Sequence, residues 1–217
     1  MTAAAMRRNA EEQLSLVERR LDGLDDRRRG LALQVLAHRD DTLRLFDQID
    51  GIEGSGQRIR CHGDYHLGQV LVTEGDVIIF DFEGEPARPL DERRQKCSPL
   101  RDVAGMLRSF SYAALTGLTA ATATRPEDLE RLAPWAELWE RWVGGTFLRA
   151  YLDATRTSSL LPVRPEDLEA LLHLFLMDKA AHEVNYELNN RPDWVHIPLA
   201  GMLRLRAPAG HTVPQTR

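Results

Sequence analysis

The chain has 217 residues, 43% hydrophobic and 28% charged, which suits one compact domain or a lobe of a larger protein. Its net charge of −5 excludes the basic footprint of a nucleic-acid-binding chain. No run of about 18 apolar residues is present for a membrane span, and Met1–Gln13 carries arginines without the apolar stretch of a secretory leader. Two cysteines, Cys61 and Cys97, lack CxxC spacing, and a reduced cytoplasmic setting is expected.

Residues 1–10 read as a disordered N-terminus. Leu14, Val17, Leu21 and Leu24 recur at helical spacing from Glu11 to about Leu24. A second helical stretch runs from about Arg28 to Ile49, with Leu36, Leu43, Phe46 and Ile49 as core positions. Gly51, Gly54 and Gly56 then break the pattern. No strand precedes them and no helix follows, so they read as a connecting loop and not a phosphate cradle.

The next segment changes character. Gln69–Thr73 and Val77–Phe80 are short apolar runs separated by Glu74-Gly75-Asp76, which predicts a central hairpin. After Pro86 a charged loop reaches Cys97, and Ser98-Pro99 opens a helix from about Leu100 to Leu118. Residues 119–134 form a loop with a short helix from Pro126. Trp135 to about Thr155 is helical, with Trp135, Leu138, Trp142 and Phe147 as buried candidates. Pro165-Glu166-Asp167 starts a further helix to about Leu188, stopped by Asn189-Asn190-Arg191-Pro192. A short helix covers Pro198 to Leu205, and residues 207–217 read as a mobile tail. The expected fold class is mainly α with a small β-hairpin, with residues 11–206 as one lobe.

Chemistry concentrates at the two ends of the hairpin. His62-Gly63-Asp64-Tyr65-His66-Leu67-Gly68-Gln69 precedes the first strand, and Asp81-Phe82-Glu83 follows the second. Both ends of a hairpin lie on one side, so the clusters should meet. Phosphoryl transfer from a nucleotide needs a carboxylate near the acceptor hydroxyl and oxygen ligands for the metal. Asp64, the amide of Gln69 and Asp81 supply those groups in the order of a kinase catalytic Asp, a metal-binding Asn and the Asp of D-F-G, with Gln for Asn and Asp-Phe-Glu for D-F-G.

The string from Cys61 to His66 resembles the catalytic loop of the aminoglycoside-phosphotransferase-like kinases. The longer run His62–Leu71 is similar to the maltokinases, including those fused to trehalose synthase. So are Asp81–Pro86 with Ser98–Phe110, and Tyr186–Trp194 with Ile197-Pro198-Leu199. The resemblance covers roughly residues 60–205. It implies the C-terminal lobe of a protein-kinase-like fold and transfer of the ATP γ-phosphate to maltose, giving maltose 1-phosphate, in trehalose and glycogen metabolism. By position it implies Asp64 as catalytic base and Gln69 with Asp81 as the Mg2+ ligands. His66, Glu83 and Glu85 would line the acceptor side, and Tyr186, Glu187, Asn190, Arg191 and Trp194 would shape the sugar site.

Plainer roles stand beside these. His62 suits bracing of the loop by hydrogen bonds. Asp102, at a helix start, suits satisfying backbone N–H groups, those of the catalytic loop among them. Arg101 could hold an acidic residue of the Asp81–Glu85 loop. His66 divides between turn-bracing and substrate contact. Trp194 divides between stacking on a sugar and plugging the lobe. Lys96 and Lys179 read as solvated surface residues. No lysine occurs before position 96 and the first 60 or so residues read as helices, so the N-terminal lobe of a kinase is expected to be absent. Weak or no ATP binding by the chain alone follows. Two competing readings are a non-catalytic lobe that binds a sugar or a trehalose-synthase-like partner, and a metal-dependent hydrolase using Cys61, His62, Asp64 and His66 as zinc ligands.

Overall fold

The computed structural model describes residues 3–47, 54–86 and 88–206. It is mainly helical, with one two-stranded antiparallel sheet among the described residues. The described residues divide into two compact units, one within 54–179 and the other on 3–47 with 180–206, where a single lobe over 11–206 is expected from the sequence. No helix among the described residues is long and apolar enough to cross a membrane.

In the second unit, α1 spans Ala3–Arg20, α2 Asp26–Ala37 and α3 Arg39–Asp47. The helix opens at Ala3 rather than at Glu11, because Met6 and Ala10 continue the apolar face of Leu14 and Val17 and are fully buried with them. Residues 3–10 are therefore helical and not disordered. The long second helix breaks at His38, giving α2 and α3. Asp25 caps α2 by accepting from the Arg28 N–H at 2.8 Å. Leu43 and Phe46 are buried, while Leu36 yields its core place to Ala32 and Val35. Ile49, Gly51 and the tail 207–217 lie outside the described residues. The later part of α7 and α8 (His196–Arg206) complete this unit, with Ile197, Leu199 and Met202 buried.

The first unit holds the hairpin. Strands β1 (Val70–Thr73) and β2 (Asp76–Ile79) pair with Val70 opposite Ile79 and Thr73 opposite Asp76. Gly75, with φ +85°, makes the tight connection. The hairpin is not central. Leu71, Val72, Val77 and Ile78 are all more than half exposed, since two strands alone leave both faces of the ribbon open. A short helix α4 (Leu90–Arg93) follows, then α5 (Leu100–Thr122), α6 (Leu129–Thr155) and α7 (Pro165–Asn190).

Helix α5 packs along α6, with Phe110 edge-on to Phe147 at 5.7 Å between centroids. Helix α6 starts at Leu129, ahead of the expected Trp135. Pro134 falls inside it and removes only one backbone donor near the start. Trp135 and Trp142 are 67% and 68% exposed, and Leu138 45%, against the expectation that they are buried. Apolar residues surround this helix on more than one face, and the face toward α5 packs against that helix.

Candidate active site

The hairpin brings its two flanking clusters together. Gln69 precedes β1 and Asp81 follows β2. The Phe80 N–H donates to the Gln69 carbonyl at 3.2 Å, and the Gln69 amide Nε2 donates to Asp81 Oδ2 at 2.9 Å. Asp81 is the one described non-glycine residue with positive φ, at 66°. That conformation costs energy for a side chain with a Cβ, and such residues cluster at functional sites. A carboxylate held against an amide, both open to solvent, is a donor set of the kind that Mg2+ takes.

The loop from Cys61 to Gln69 is built against one face of α5. Asp102, Gly105 and Ser109 recur at i, i+3 and i+7, so they share that face. Asp102 accepts from the His62 N–H at 2.6 Å through one carboxylate oxygen and from the Gly63 N–H at 2.9 Å through the other. Ser109 Oγ accepts from the Leu67 N–H at 2.9 Å. A Cβ on Gly105 would stand 2.6 Å from the Tyr65 carbonyl oxygen, so only glycine lets the loop lie this close. Gly63 itself has φ +86°, and a Cβ there would meet the Gly84 Cα at 3.2 Å. Burial raises the pKa of Tyr65, helped by the nearby Asp102 charge.

His62 is buried and ties the loop to the hairpin. Its Nε2 lies 2.8 Å from the Phe80 carbonyl, an acceptor, so Nε2 carries the proton. Nδ1 is then free to accept from the Asp64 N–H at 3.4 Å. Its ring packs on Tyr65 and Phe82, with centroids at 5.5 Å and 4.8 Å. His66 accepts the Gly68 N–H at Nδ1, 3.0 Å away, which leaves its Nε2 facing Asp64 Oδ2 at 3.8 Å. His66 thus braces the turn and approaches Asp64 at once.

Lys179 is not a solvated surface residue. Helix α7 places its ammonium 3.2 Å from Asp64 Oδ1 and 3.7 Å from Glu85 Oε2, with the Lys179 side chain only 24% exposed. The sequence reading missed it because 115 positions separate it from Asp64. The one available signal was the scarcity of lysine in this arginine-rich chain. Lys96 is exposed, as expected. Arg101 donates to the Gly63 carbonyl at 3.3 Å, rather than to an acidic residue of the 81–85 loop, and its charge favours the Cys97 thiolate. Glu83 is exposed, and its carbonyl accepts from Arg93 at 3.4 Å.

A second cluster lies within the other unit. Glu187, 1% exposed, takes a bidentate pair from Arg191, Nε to Oε2 at 3.0 Å and a terminal nitrogen to Oε1 at 2.7 Å. The Arg191 guanidinium also lies 5.2 Å from the Tyr186 ring centroid and 4.8 Å from that of Trp194. Asn190 donates to the Tyr186 carbonyl at 2.8 Å. Tyr186 is half exposed, and Trp194 is half-buried.

The proposed zinc set does not assemble. Cys61 faces the Cys97 and Ser98 carbonyls at 3.5 and 3.4 Å, and His62 is used by Phe80. Among the described residues no three His, Cys, Asp or Glu side chains converge as a metal site.

A family model described as "Phosphotransferase enzyme family" matches residues 2–135. The chain belongs to the phosphotransferase enzyme family. The chain is 31% identical over 169 residues to a glucosamine kinase of Mycolicibacterium smegmatis, spanning 76% of this chain and 39% of that protein. It is 28% identical over 156 residues to a glucosamine kinase of Streptacidiphilus jiangxiensis, spanning 71% and 33%. In fold it is similar to a glucosamine kinase solved with glucosamine, ADP and inorganic phosphate. That match has a TM-score of 0.71 at 22% identity and covers 94% of this chain and 46% of the other. The chain therefore spans between a third and two fifths of the length of these curated relatives.

Proposed function

We propose that this phosphotransferase supplies the catalytic carboxylate and metal-binding groups for transfer of the ATP γ-phosphate to a sugar hydroxyl. The observations that support the proposal are the Gln69–Asp81 contact at the base of the hairpin, and the His62–Phe80 bond that ties the loop carrying Asp64 to that hairpin, with Asp81 strained and Asp64 held by Lys179 and His66. Asp64 receives the proton of the acceptor hydroxyl. Lys179 and His66 orient its two oxygens, and Asp102 fixes the loop that carries it. Asp81 and the Gln69 amide oxygen would hold Mg2+, which neutralises phosphate charge when bound. Glu83 and Glu85 flank this group on the acceptor side.

The cluster of Tyr186, Glu187, Asn190, Arg191 and Trp194 is proposed as a sugar contact. A half-exposed aromatic pair rigidified by Arg191 offers flat faces to a pyranose ring, and the neighbouring amide offers hydrogen bonds. The acceptor is maltose on the resemblance of the sequence blocks. Glucosamine is the competing acceptor, since the curated relatives carry that name. A trehalose-synthase-like neighbour or an N-terminal kinase lobe would be the partner, in the cytoplasm.

A second reading, a non-catalytic sugar-binding lobe, is favoured by the partial span of the relatives. Phosphorus NMR of the protein with ATP, Mg2+ and either maltose or glucosamine separates the two. A sugar phosphate that forms with the native chain and is lost in Asp64→Asn supports the kinase and names its acceptor. Product that persists in Asp64→Asn removes Asp64 from the mechanism. Sugar binding with no product from either sugar selects the second reading.

A further inference from the structure

Beside the catalytic loop, in groups the phosphotransfer reading does not use, lie both cysteines of the chain. Ile59 and Cys97 exchange two backbone hydrogen bonds of 2.9 Å, which holds the segment that carries Cys61 against Cys97. Both thiols are free. Cys61 Sγ also lies 3.4 Å from the Ser98 carbonyl, 3.5 Å from that of Cys97 and 3.7 Å from that of Ile59. Carbonyls only accept, so the Cys61 thiol is a donor here and keeps its proton.

We propose that Cys61 and Cys97 are a peroxide-responsive dithiol site whose closure to a disulfide ties the entry to the catalytic loop to the entry to α5.

The surroundings divide the two roles. The neighbouring Cys61 thiol, with the charge of Arg101, brings the Cys97 pKa down to about 7, against the opposing effects of burial and of Asp102. The neighbouring Cys97 and burial push the Cys61 thiol far up, and Asp102 adds to this while Arg101 opposes it. Tyr151 of α6 shows a raised pKa, from burial first, with Asp102 adding to it. Cys97 is thus the nucleophile and Cys61 the resolving thiol. Cys97 is 7% exposed, which admits a small oxidant such as hydrogen peroxide better than a bulky one.

The Cys97 thiolate attacks one peroxide oxygen and the O–O bond breaks. Cys97 becomes a sulfenic acid, and the leaving hydroxide takes up a proton to form water. The Cys61 sulfur then attacks the Cys97 sulfur. The S–S bond forms, the S–O bond breaks, and the Cys61 proton leaves with the hydroxyl as a second water. Two thiols are oxidised and one peroxide is reduced. The step matters to the loop because Arg101 donates to the Gly63 carbonyl and its charge favours the Cys97 thiolate. Oxidation removes the thiolate that Arg101 serves and restrains the residue three positions before Asp64.

The test is independent of any kinase activity. The native protein is titrated with hydrogen peroxide, quenched with an alkylating agent and mapped by peptide mass spectrometry. The expected result is that both thiols disappear together, a Cys61–Cys97 linked peptide appears, and dithiothreitol restores both thiols. Cys61→Ser is expected to stop at a sulfenic acid on Cys97 that dimedone traps. Cys97→Ser is expected to leave Cys61 unmodified at the same dose. Independent loss of the two thiols, a link between chains, or a Cys97 sulfenic acid that persists in the native protein each overturns the proposal. Mapping of the unsubstituted protein decides it even where a serine variant folds poorly.

Discussion

Replacing Asp102 tests the idea that α5 holds the catalytic loop through one carboxylate. Its two oxygens each accept a backbone N–H, at 2.6 Å from His62 and 2.9 Å from Gly63. A hydrogen bond to a charged group contributes about 1.5–3 kcal/mol. Both bonds are only partly buried, so the low end applies, and Asp102→Ala should cost about 3 kcal/mol. With a urea slope of about 2 kcal/mol per molar, the midpoint falls by about 1.5 M. Asp102→Asn keeps one acceptor and should recover roughly half of this loss. Circular dichroism in urea gives the midpoints, and hydrogen exchange resolves the His62 and Gly63 amides. Both amides should lose protection in the alanine variant, and one of them more than the other in the asparagine variant. An Asp102→Ala protein with the native midpoint and native exchange at both amides would refute the reasoning.

The same face of α5 predicts that Gly105→Ala displaces the catalytic loop, because the new methyl group would sit 2.6 Å from a backbone oxygen. Overpacking of this kind costs about 1–3 kcal/mol. Chemical-shift changes centred on Tyr65 should accompany the loss, and their absence would remove Gly105 as the spacer. Lys179→Met leaves Asp64 and Glu85 without their shared cation and should lower stability by about 1 kcal/mol, with Lys179→Arg retaining most of it. Equal urea midpoints for the methionine variant and the native chain would contradict this. Alkylation of Cys97 in the native fold should follow its thiolate. Its pKa stands below the ordinary thiol value, at about 7, so the rate rises with pH up to that point and levels off above it. A rate still climbing through pH 9 would show an ordinary thiol. Arg101→Gln should move the curve to higher pH, since the guanidinium favours the anion.

The hairpin was legible because its signals are local. Alternating runs of β-branched residues and the glycine at the turn act within a few positions, and the flanking Gln69 and Asp81 had to meet once the strands paired. The roles suited to His62 and Asp102 could be stated from residue type and position in the same way. Helix starts were less legible where burial rather than propensity decides them. Met6 and Ala10 extend α1 only because neighbouring helices cover them. The tryptophans of α6 show the converse. Their hydrophobicity suggests burial, but a helix can turn only one face to its neighbour, and that face is set by packing.

By itself the sequence determined the hairpin, the order of acidic groups around it and the helical remainder, since these follow from contacts between near residues. Tertiary structure alone decided that Lys179 reaches Asp64, that Arg101 serves Gly63 and Cys97, and that Cys61 reaches the Cys97 carbonyl. Each joins positions far apart in the chain, and no local pattern records which distant side chains packing will bring within a few ångströms.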